Sequence, residues 1–447
     1  MTARLVQVFT VGAILLAALS GATRASPTDF RRFAEPADQV LTADDLVERV
    51  LVENAGLASL RAAVDAAQAR VVPAGALPDP QVAVDVAPRT VGGFDAPPGV
   101  DNNARISWSV SQAFPWPGTL GLRAAAARKE VAAATEGVAD LRLRLVAATQ
   151  SAYAEWRYVH RALAINATSQ DLVDELRRVA EQHYAAGVAQ QQDVLQAEVE
   201  LQRLKRQALA LERFKRVLRA KINALLNRDA NDVLPPPQAL PAPQALPAYS
   251  TLRGLSLASH PELAQVQRRI AANKDREALA RKGFYPDFKV YGGSRGVMDP
   301  AEKRLYVGVG LSLPLNRSKY RARLDEAKAD TLRLESELAE RRAQLLSQLE
   351  QAYAAVEEAR HSIALYENEL LPLARENLSA ARAEYGAGGG SFLDVIDAEQ
   401  SELDAKLNLA RVRADYFTAR AELTRWIGGS LPEPATAAPS NEGSSDE

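Results

Sequence analysis

Two acidic residues after a run of glycines are the side chains best placed to do chemistry in this sequence. Asp394 and Asp397 are three residues apart, so they share one face if the segment is helical. Asp193 occupies the position that matches Asp394 in a similar segment earlier in the chain. Carboxylates gathered at one place favour cations and raise one another's pKa. Ser391 and Asp394 also have the spacing of a capping box, so Asp394 is alternatively a helix-capping residue. Asp397 lies one turn further into the helix, where capping does not explain it.

The remaining reactive side chains are few and scattered. The chain has no Cys, which excludes disulfides, Cys-ligated zinc and thiol catalysis. No pair of histidines has the spacing of metal ligands among His160, His183, His260 and His361. No nucleophile–base pair or phosphate-binding loop stands out, and a net charge of −2 argues against a nucleic-acid partner. We therefore expect that the protein is not an enzyme and that it binds neither a cofactor nor a metal.

The first 25 residues have the pattern of an export signal. Arg4 supplies a positive charge, residues 5–19 are uncharged and mostly apolar, and small residues follow. A membrane anchor is the alternative, but about 20 apolar residues are needed to span a bilayer. We expect a signal peptide at 1–25, an extended segment at 26–42, and no transmembrane helix in the mature chain.

The chain consists of two copies of one unit. Tyr184-Ala-Ala-Gly187 recurs as Tyr385-Gly-Ala-Gly388, and the segment that begins at Asp193 recurs at Asp394, both 201 positions later. Such repeats define the architecture before local structure is considered. The expected division is a first copy at 43–230, a Pro-rich extended connector at 231–250, a second copy at 251–428 and a disordered tail at 429–447.

Each copy is predicted to contain the same helices. The patterns indicate a first helix at 43–71 and at 261–282, a very long helix at 120–184 and at 320–385, and a third helix at 191–226 and at 392–426. Apolar residues seven positions apart on the third helices predict coiled-coil-like packing. Pro372 is expected to kink the second long helix, because proline removes one ladder hydrogen bond.

Four segments that alternate apolar and polar residues are predicted to be β-strands, at about 80–90, 104–114, 286–294 and 304–313. A small soluble sheet covered by helices is the usual interpretation of such alternation. The predicted export, the small polar residues on one face and strand lengths close to those that cross a bilayer favour a membrane instead. The side chains expected to face a water-filled lumen are Asp85, Arg105, Lys289 and Arg304.

Three aromatic residues of these strands are candidates for a membrane-interface belt: Trp108, Tyr291 and Tyr306. The alternation puts Tyr291 and Tyr306 on the polar face of their strands, so they are also candidates to line the lumen.

Four strands cannot close into a barrel, and an open edge in lipid would leave backbone groups unpaired. A closed barrel must therefore be shared between chains. Two chains would give eight strands and a lumen filled by side chains, whereas three would give twelve strands and a wider lumen. The arithmetic favours a trimer.

The order helix, strand hairpin, long helix, turn and helix, present twice, resembles the TolC family of outer-membrane efflux proteins over about residues 40–428. The most specific pieces are the paired Tyr-x-x-Gly segments followed by Asp, the Phe114-Pro-Trp-Pro-Gly118 motif and Leu371-Pro-Leu373. The resemblance implies a mainly α fold, with a shared twelve-stranded barrel in the outer membrane and a barrel of long coiled-coil-like helices in the periplasm. The Phe114-Pro-Trp-Pro-Gly118 motif looks most like the heavy-metal, CusC- and CzcC-like branch.

By the same resemblance, the glycine-containing turns form the periplasmic tip of the channel. The residues implied for the gate are Tyr184, Tyr385, Gly187 and Gly388, and those implied for the pore aperture are Asp193, Asp394 and Asp397. An ordinary helix end explains the glycines as well, since Gly is common just beyond a helix C-terminus. Tyr385 is placed to hydrogen-bond Asp193. Gly390 replaces the family's basic partner, so part of the closed-state contacts is expected to differ.

The function implied is a passive exit duct of a tripartite efflux system, opened by docking to a periplasmic adaptor and an inner-membrane pump, for heavy-metal cations or drugs. The alternatives are the exit duct of a type I protein secretion system and a periplasmic coiled-coil scaffold or adaptor. The expected partners are two further copies of the chain, the adaptor, the pump and outer-membrane lipid.

Overall fold

The computed structural model describes residues 40–87, 105–294 and 305–432. The predicted signal peptide, the N-terminal segment up to residue 39, the tail beyond residue 432 and Arg304 lie outside these residues. Within them the chain folds into long helices and one four-stranded sheet, so the predicted mainly α class with four strands is confirmed.

The elements follow the same order in each half of the chain, except that α3 occurs only in the first half and the long helix of the second half is divided into α8 and α9. The first half contains α1 (Ala43–Glu53), α2 (Ala55–Ala69), α3 (Val71–Gly75), β1 (Gln81–Ala87), β2 (Arg105–Phe114), α4 (Thr119–Ala185) and α5 (Gln191–Leu225). The second half contains α6 (Tyr249–Ser259), α7 (Pro261–Lys282), β3 (Asp287–Ser294), β4 (Leu305–Ser312), α8 (Arg317–Leu365), α9 (Leu371–Gly386) and α10 (Phe392–Trp426).

The helix predicted at 261–282 is confirmed as α7, whereas the helix predicted at 43–71 in the first copy is broken. A single helix at 43–71 is wrong, because the chain is extended at Asn54 and starts again as α2. The Asn54 side chain caps α2, and its Nδ2 donates to the Leu225 carbonyl at 3.0 Å. In the second copy, the unpredicted helix α6 precedes α7, and His260 occupies the break between them. A cap residue that also bonds a distant helix end therefore divides the helix in the first copy.

The longest helices are α4, with 67 residues, and α8, with 49 residues. At 1.5 Å per residue, α4 is about 100 Å long. α8 continues into α9 through a π-helical turn, Tyr366–Leu370. Pro372 follows this turn and has no N–H to donate, which accounts for an irregular hydrogen-bond pattern just before it; the kink expected at Pro372 stays a prediction. None of the helices in the described part of the chain has the length and hydropathy that a membrane span requires.

The strands form one antiparallel sheet in the order β1-β2-β3-β4. The strands β2 and β3, from different halves of the chain, pair in its middle. Directly paired residues share a face, and the register gathers on one face the side chains of Val82, Val84, Trp108, Val110, Phe288, Val290, Leu305, Val307, Val309 and Leu311. All of these except Phe288 are exposed, and Val307 is 85% exposed. Apart from Gln112 and Ser294, this face of the sheet is thus apolar, and the rest of the described chain does not cover it.

Separate apolar clusters hold the helices together. One cluster joins α1, α2, α4 and α5 to the connector, where Trp156 Nε1 donates to the Pro235 carbonyl at 3.2 Å. Another is built from α6, α8 and α10, where the Tyr416 hydroxyl accepts a hydrogen bond from Gln244 N at 2.9 Å. The extended connector therefore crosses both clusters, and it ends slightly earlier than predicted because α6 begins at Tyr249.

Candidate functional site

Two turns close the helical hairpins, one between α4 and α5 and the other between α9 and α10. A glycine with positive φ follows the helix in each turn, Gly187 at 76° and Gly388 at 78°. Gly187 N donates to the Tyr184 carbonyl at 3.0 Å, and Gly388 N donates to the Tyr385 carbonyl at 3.1 Å. In both turns the helix ends in the same way, with a glycine just beyond its C-terminus. This capping explains both glycines, and their role in a gate stays a prediction.

The two tyrosines that precede these glycines have different environments. Tyr385 is 7% exposed and packs against the rings of His183, at 5.3 Å between centroids, and Phe392, at 5.2 Å. Its ring belongs to an apolar cluster built from the ends of both hairpins. Tyr184, its counterpart in the first copy, is 50% exposed. Tyr385 therefore holds the two turns side by side, whereas Tyr184 is open to solvent.

Asp193 of α5 lies beside the buried hydroxyl of Tyr385. Burial raises the pKa of Tyr385, and the negative charge of Asp193 raises it further. The contact between the two groups falls short of a regular hydrogen bond. The structure thus brings these two predicted site residues together across the hairpins as a polar pair.

Asp394 and Asp397 lie near the start of α10, and both are exposed. Ser391 caps this helix, since its Oγ accepts a hydrogen bond from Leu393 N at 3.2 Å. The reciprocal half of the capping box does not form: the Asp394 carboxylate has no hydrogen bond or ion pair to another described residue. Two unpaired carboxylates on one helix face are what an aperture role requires, and that role stays a prediction.

Ion pairs across the hairpins join the first copy to the second, and the sequence analysis missed them. Arg382 of α9 contacts Glu175 of α4 at 3.4 Å, and Arg411 of α10 contacts Glu155 of α4 at 2.9 Å. At Gly390, where the resemblance places a basic residue, an added Cβ would lie 3.0 Å from a side chain of the preceding helix. Arg382, rather than a residue at position 390, supplies a basic link between the hairpins near the turns.

Three carboxylates are buried between the hairpins, which the sequence did not reveal. Glu200, Glu399 and Glu402 are all less than a tenth exposed. Glu200 pairs with Arg203 at 3.1 Å, and Glu402 pairs with Lys406 at 2.8 Å. Neither carboxyl oxygen of Glu399 has a hydrogen-bond partner among the described residues. In the sequence, Glu399 stands out only as part of the Ala-Glu pair that ends each repeated segment, Ala197-Glu198 and Ala398-Glu399. This pair does not indicate whether the acid is buried.

The polar face of the sheet carries the predicted lumen residues. Asp85 is exposed and pairs with Ser107, and Lys289 is exposed beside Gly310. The backbone register puts Arg105 on the same face as Asp85, while its side chain lies outside the described part of the structure, as does Arg304. The lumen role of all four residues stays a prediction.

Tyr291 and Tyr306 lie on this same polar face, with ring centroids 6.3 Å apart. Gly308 leaves room for the Tyr291 ring, because a Cβ at position 308 would lie 2.6 Å from a ring atom. Trp108 lies on the opposite, apolar face and is exposed. Of the three aromatic candidates for an interface belt, only Trp108 is therefore on the apolar face.

An aromatic stack lies where the strands meet the helices. Trp116 stacks on Tyr285 at 4.9 Å and on Phe288 at 5.7 Å between centroids, and its backbone N donates to Asp287 Oδ1 at 2.8 Å. Gly118, with φ at 86°, is the cap residue just before α4. The motif that suggests a heavy-metal branch serves here to join a strand to a helix. In the described ranges no group of three or more His, Asp or Glu side chains is arranged to hold a metal.

Both halves of the chain match one protein family. Residues 46–228 and 252–429 match the family model described as Outer membrane efflux protein. The matched residues make up most of the chain and leave the connector between them.

Individual proteins are similar over parts of the chain. It is 28% identical to the Alkaline protease secretion protein AprF of Pseudomonas aeruginosa over 195 residues, which is 41% of this chain and 40% of that protein. It is 22% identical to Nodulation protein T of Rhizobium leguminosarum bv. trifolii over 298 residues, which is 64% of this chain and 63% of that protein. The chain thus spans less than two thirds of the length of the curated relatives it matches.

The solved structure of the outer-membrane channel OprN has a similar fold. The TM-score is 0.76 and the identity 22%, and the match covers 87% of this chain and 90% of that one.

Proposed function

Because this chain belongs to the outer membrane efflux protein family, we propose that it forms an exit duct through which solutes cross the outer membrane. Three copies contribute twelve strands to one closed barrel and their long helices to a periplasmic tunnel. The duct opens when a periplasmic adaptor and an inner-membrane pump dock to its helical end, and it does no chemistry of its own.

The uncovered apolar face of the sheet carries this proposal. Its side chains, such as Val307 and Leu305, are exposed in the single chain. A contiguous apolar surface of this kind marks a protein or membrane contact. The edge strands β1 and β4 also need partners, because lipid cannot satisfy their outer N–H and C=O groups. Pairing β4 of one copy with β1 of the next closes the sheet and leaves the apolar face to lipid.

Exposed apolar side chains along the helices support the same assembly. Val199, Leu209 and Leu332 are each at least 66% exposed although they lie on regular helices. Neighbouring copies packed lengthwise would cover them, as heptad residues are covered in coiled coils. A helix about 100 Å long, such as α4, has no role in a compact domain but spans a wide aqueous compartment.

A second candidate is the exit duct of a type I protein secretion system. AprF is named for the secretion of an alkaline protease, and its identity of 28% over part of this chain favours this candidate. The unpaired carboxylates of Asp394 and Asp397 favour the efflux candidate with cationic cargo, because a protein substrate has no need of a cation-attracting aperture. A periplasmic scaffold or adaptor would leave the apolar sheet face unexplained.

Three measurements on the full chain test the proposal. We expect the chain in the outer-membrane fraction, a trimer on gels that heat dissociates, and ion conductance in planar bilayers. Deletion of the gene should then raise cellular accumulation of cations or drugs for the efflux candidate, and should abolish export of one protein for the secretion candidate. A monomer recovered wholly in the aqueous fraction, without conductance, would refute both.

A further inference from the structure

A buried acid without a partner lies between the two helical hairpins, near the turns. Glu399 of α10 is 1% exposed, and neither of its carboxyl oxygens makes a hydrogen bond to any residue that the structure describes. An unpaired carboxylate is very costly to bury, because the protein replaces none of the interactions that water gave it. Glu399 therefore fits this position at low cost only as the neutral acid.

Glu399 belongs to a polar layer that separates two apolar clusters. The cluster on the side of the turns includes Val395 and Ala398, and the cluster on the other side includes Leu403 and Leu204. The buried polar residues of the layer are Asn166 and Ser169 of α4, Glu200 of α5 and Glu402 of α10. The contact of α10 with α4 and α5 is thus apolar on both sides of this layer, towards the turns and away from them. Within the layer, the stability of the contact depends on the charge of the buried side chains.

The cations near Glu399 are already engaged by the other acids. Arg203 of α5 pairs with Glu200 at 3.1 Å. Glu402 is paired with Lys406 of its own helix at 2.8 Å and with Arg375 of α9 at 3.5 Å. The group that α4 presents to Glu399 is the uncharged hydroxyl of Ser169. A proton lost from Glu399 therefore leaves a buried carboxylate for which the neighbouring cations, already paired with Glu200 and Glu402, provide no ion pair.

The balance of these effects favours the protonated form up to about pH 7. Burial is the largest cause that raises the pKa of Glu399, to about 7. The Ser169 hydroxyl lowers it, the charge of Glu200 raises it, Arg203 lowers it and Glu402 raises it. The hydroxyl does not form a regular hydrogen bond with the carboxyl, so its effect does not offset burial.

We propose that Glu399 is a proton-sensitive latch, which holds α10 against α4 and α5 when protonated and releases it when charged, so that loss of the proton favours the open channel. This inference rests on the proposed function as an exit duct, because it concerns the helical end that must open. The inference adds that pH controls the opening of the channel through a residue inside each protomer, independently of any docking partner.

The size of the effect follows from the two environments of the carboxyl group. Its pKa is about 7 in the buried state, and its ordinary value of 4.5 applies when release exposes it to water. Between these values the closed state binds the proton more tightly, so raising the pH favours the released state. The ratio of closed to released molecules should fall by about tenfold between pH 6 and pH 8 if the carboxyl becomes fully hydrated.

Glu198 provides a matched control. It occupies the position of Glu399 in the first copy, at the end of the same repeated segment, but it is exposed. Glu399→Gln keeps the shape of the protonated acid and cannot be charged, and Glu198→Gln makes the same change on the surface.

The test measures open probability of the full-length trimer in planar bilayers from pH 5 to pH 8. The trimer carries three such carboxyls, so we expect the wild type and Glu198→Gln to open at least about tenfold more at pH 8 than at pH 6. Glu399→Gln should keep its low-pH behaviour throughout. A Glu399→Gln profile that follows the wild type would overturn the latch. A protein that conducts at no pH would count against the duct itself.

A second measurement needs no variant and no conductance. Hydrogen exchange of the α10 amides near Glu399, corrected for the intrinsic effect of pH on exchange, should lose protection in the wild type between pH 6 and pH 8. Protection that is independent of pH in this range would overturn the latch even if the channel conducts.

Discussion

Val84→Arg and Ala83→Arg form a matched pair that tests which face of the sheet meets lipid. The two residues are neighbours in β1, and both are exposed in the single chain. Val84 pairs with Trp108 on the apolar face, whereas Ala83 pairs with Ser109 on the polar face. If both faces met water, an added arginine would be tolerated equally well at the two positions.

In a membrane the two substitutions have different consequences. An arginine on the lipid face of a transmembrane barrel costs about 2–4 kcal/mol near the bilayer midplane. All three chains carry the change, so Val84→Arg would cost about 6–12 kcal/mol per trimer on this scale. Ala83→Arg would face the water-filled lumen, where a surface substitution changes the stability by less than about 0.5 kcal/mol per chain.

The assay compares the two variants at equal expression. We expect Val84→Arg to lose the heat-sensitive trimer from the outer-membrane fraction, since the cost exceeds what a marginally stable assembly tolerates. Ala83→Arg should keep the trimer and should shift the ion selectivity of the channel towards anions, because three positive charges are added to the lumen. Equal yields of trimer from both variants would refute a lipid-facing apolar face.

Three further predictions concern the helical part. The double substitution Asp394→Ala with Asp397→Ala should raise conductance in planar bilayers or weaken block by divalent cations, because it removes the carboxylates from the predicted aperture. Tyr385→Ala should lower the local unfolding free energy of the turns by about 3 kcal/mol, measured by hydrogen exchange, since a buried ring is lost, whereas Tyr184→Ala should change it by less than about 0.5 kcal/mol. Burial is the main cause that lowers the pKa of His160 to about 4. As the pH falls from about 6.5 towards 4, the unfolded chain therefore takes up a proton at His160 that the folded chain does not. The free energy of unfolding should decrease over this range.

Each of these predictions has a control within the chain. Glu358→Ala removes an exposed acid of α8 far from the turns and should leave conductance and block unchanged. Unchanged conductance and block in the aspartate variant would remove the aperture assignment, and equal effects of the two tyrosine variants would contradict the packing difference. His160→Gln should reduce the loss of stability in acid on urea unfolding, and His361→Gln, at an exposed position, should not. Parallel curves for His160→Gln and the wild type would contradict the assignment to His160.

Periodicity predicted the long helices to within a few residues, because a regular helix needs only a sustained pattern. The helix predicted at 120–184 is α4, and the alternating segments are the four strands. The break at Asn54 was missed because a polar residue inside a helical pattern is unremarkable in sequence. Its effect depends on the carbonyl of Leu225, which lies 171 residues away along the chain.

The resemblance to the TolC family is confirmed by the family match, which covers both halves of the chain. It also placed Tyr385 and Asp193 as a possible pair, and the structure brings them together. The ion pair between Arg411 and Glu155 was not foreseen, since nothing in the spacing of charges on one helix tells which helix will lie opposite.

The sequence by itself determined the repeated local structure of this protein: two turns closed by glycines, two long helices and two strand hairpins with a consistent polar and apolar alternation. Only the tertiary structure decided which member of each repeated pair is buried. Tyr385 is enclosed and Tyr184 is not, and Glu399 is enclosed and Glu198 is not. The reason is that the two copies share local interactions but occupy different places in the fold, so equivalent residues meet different neighbours and different amounts of water.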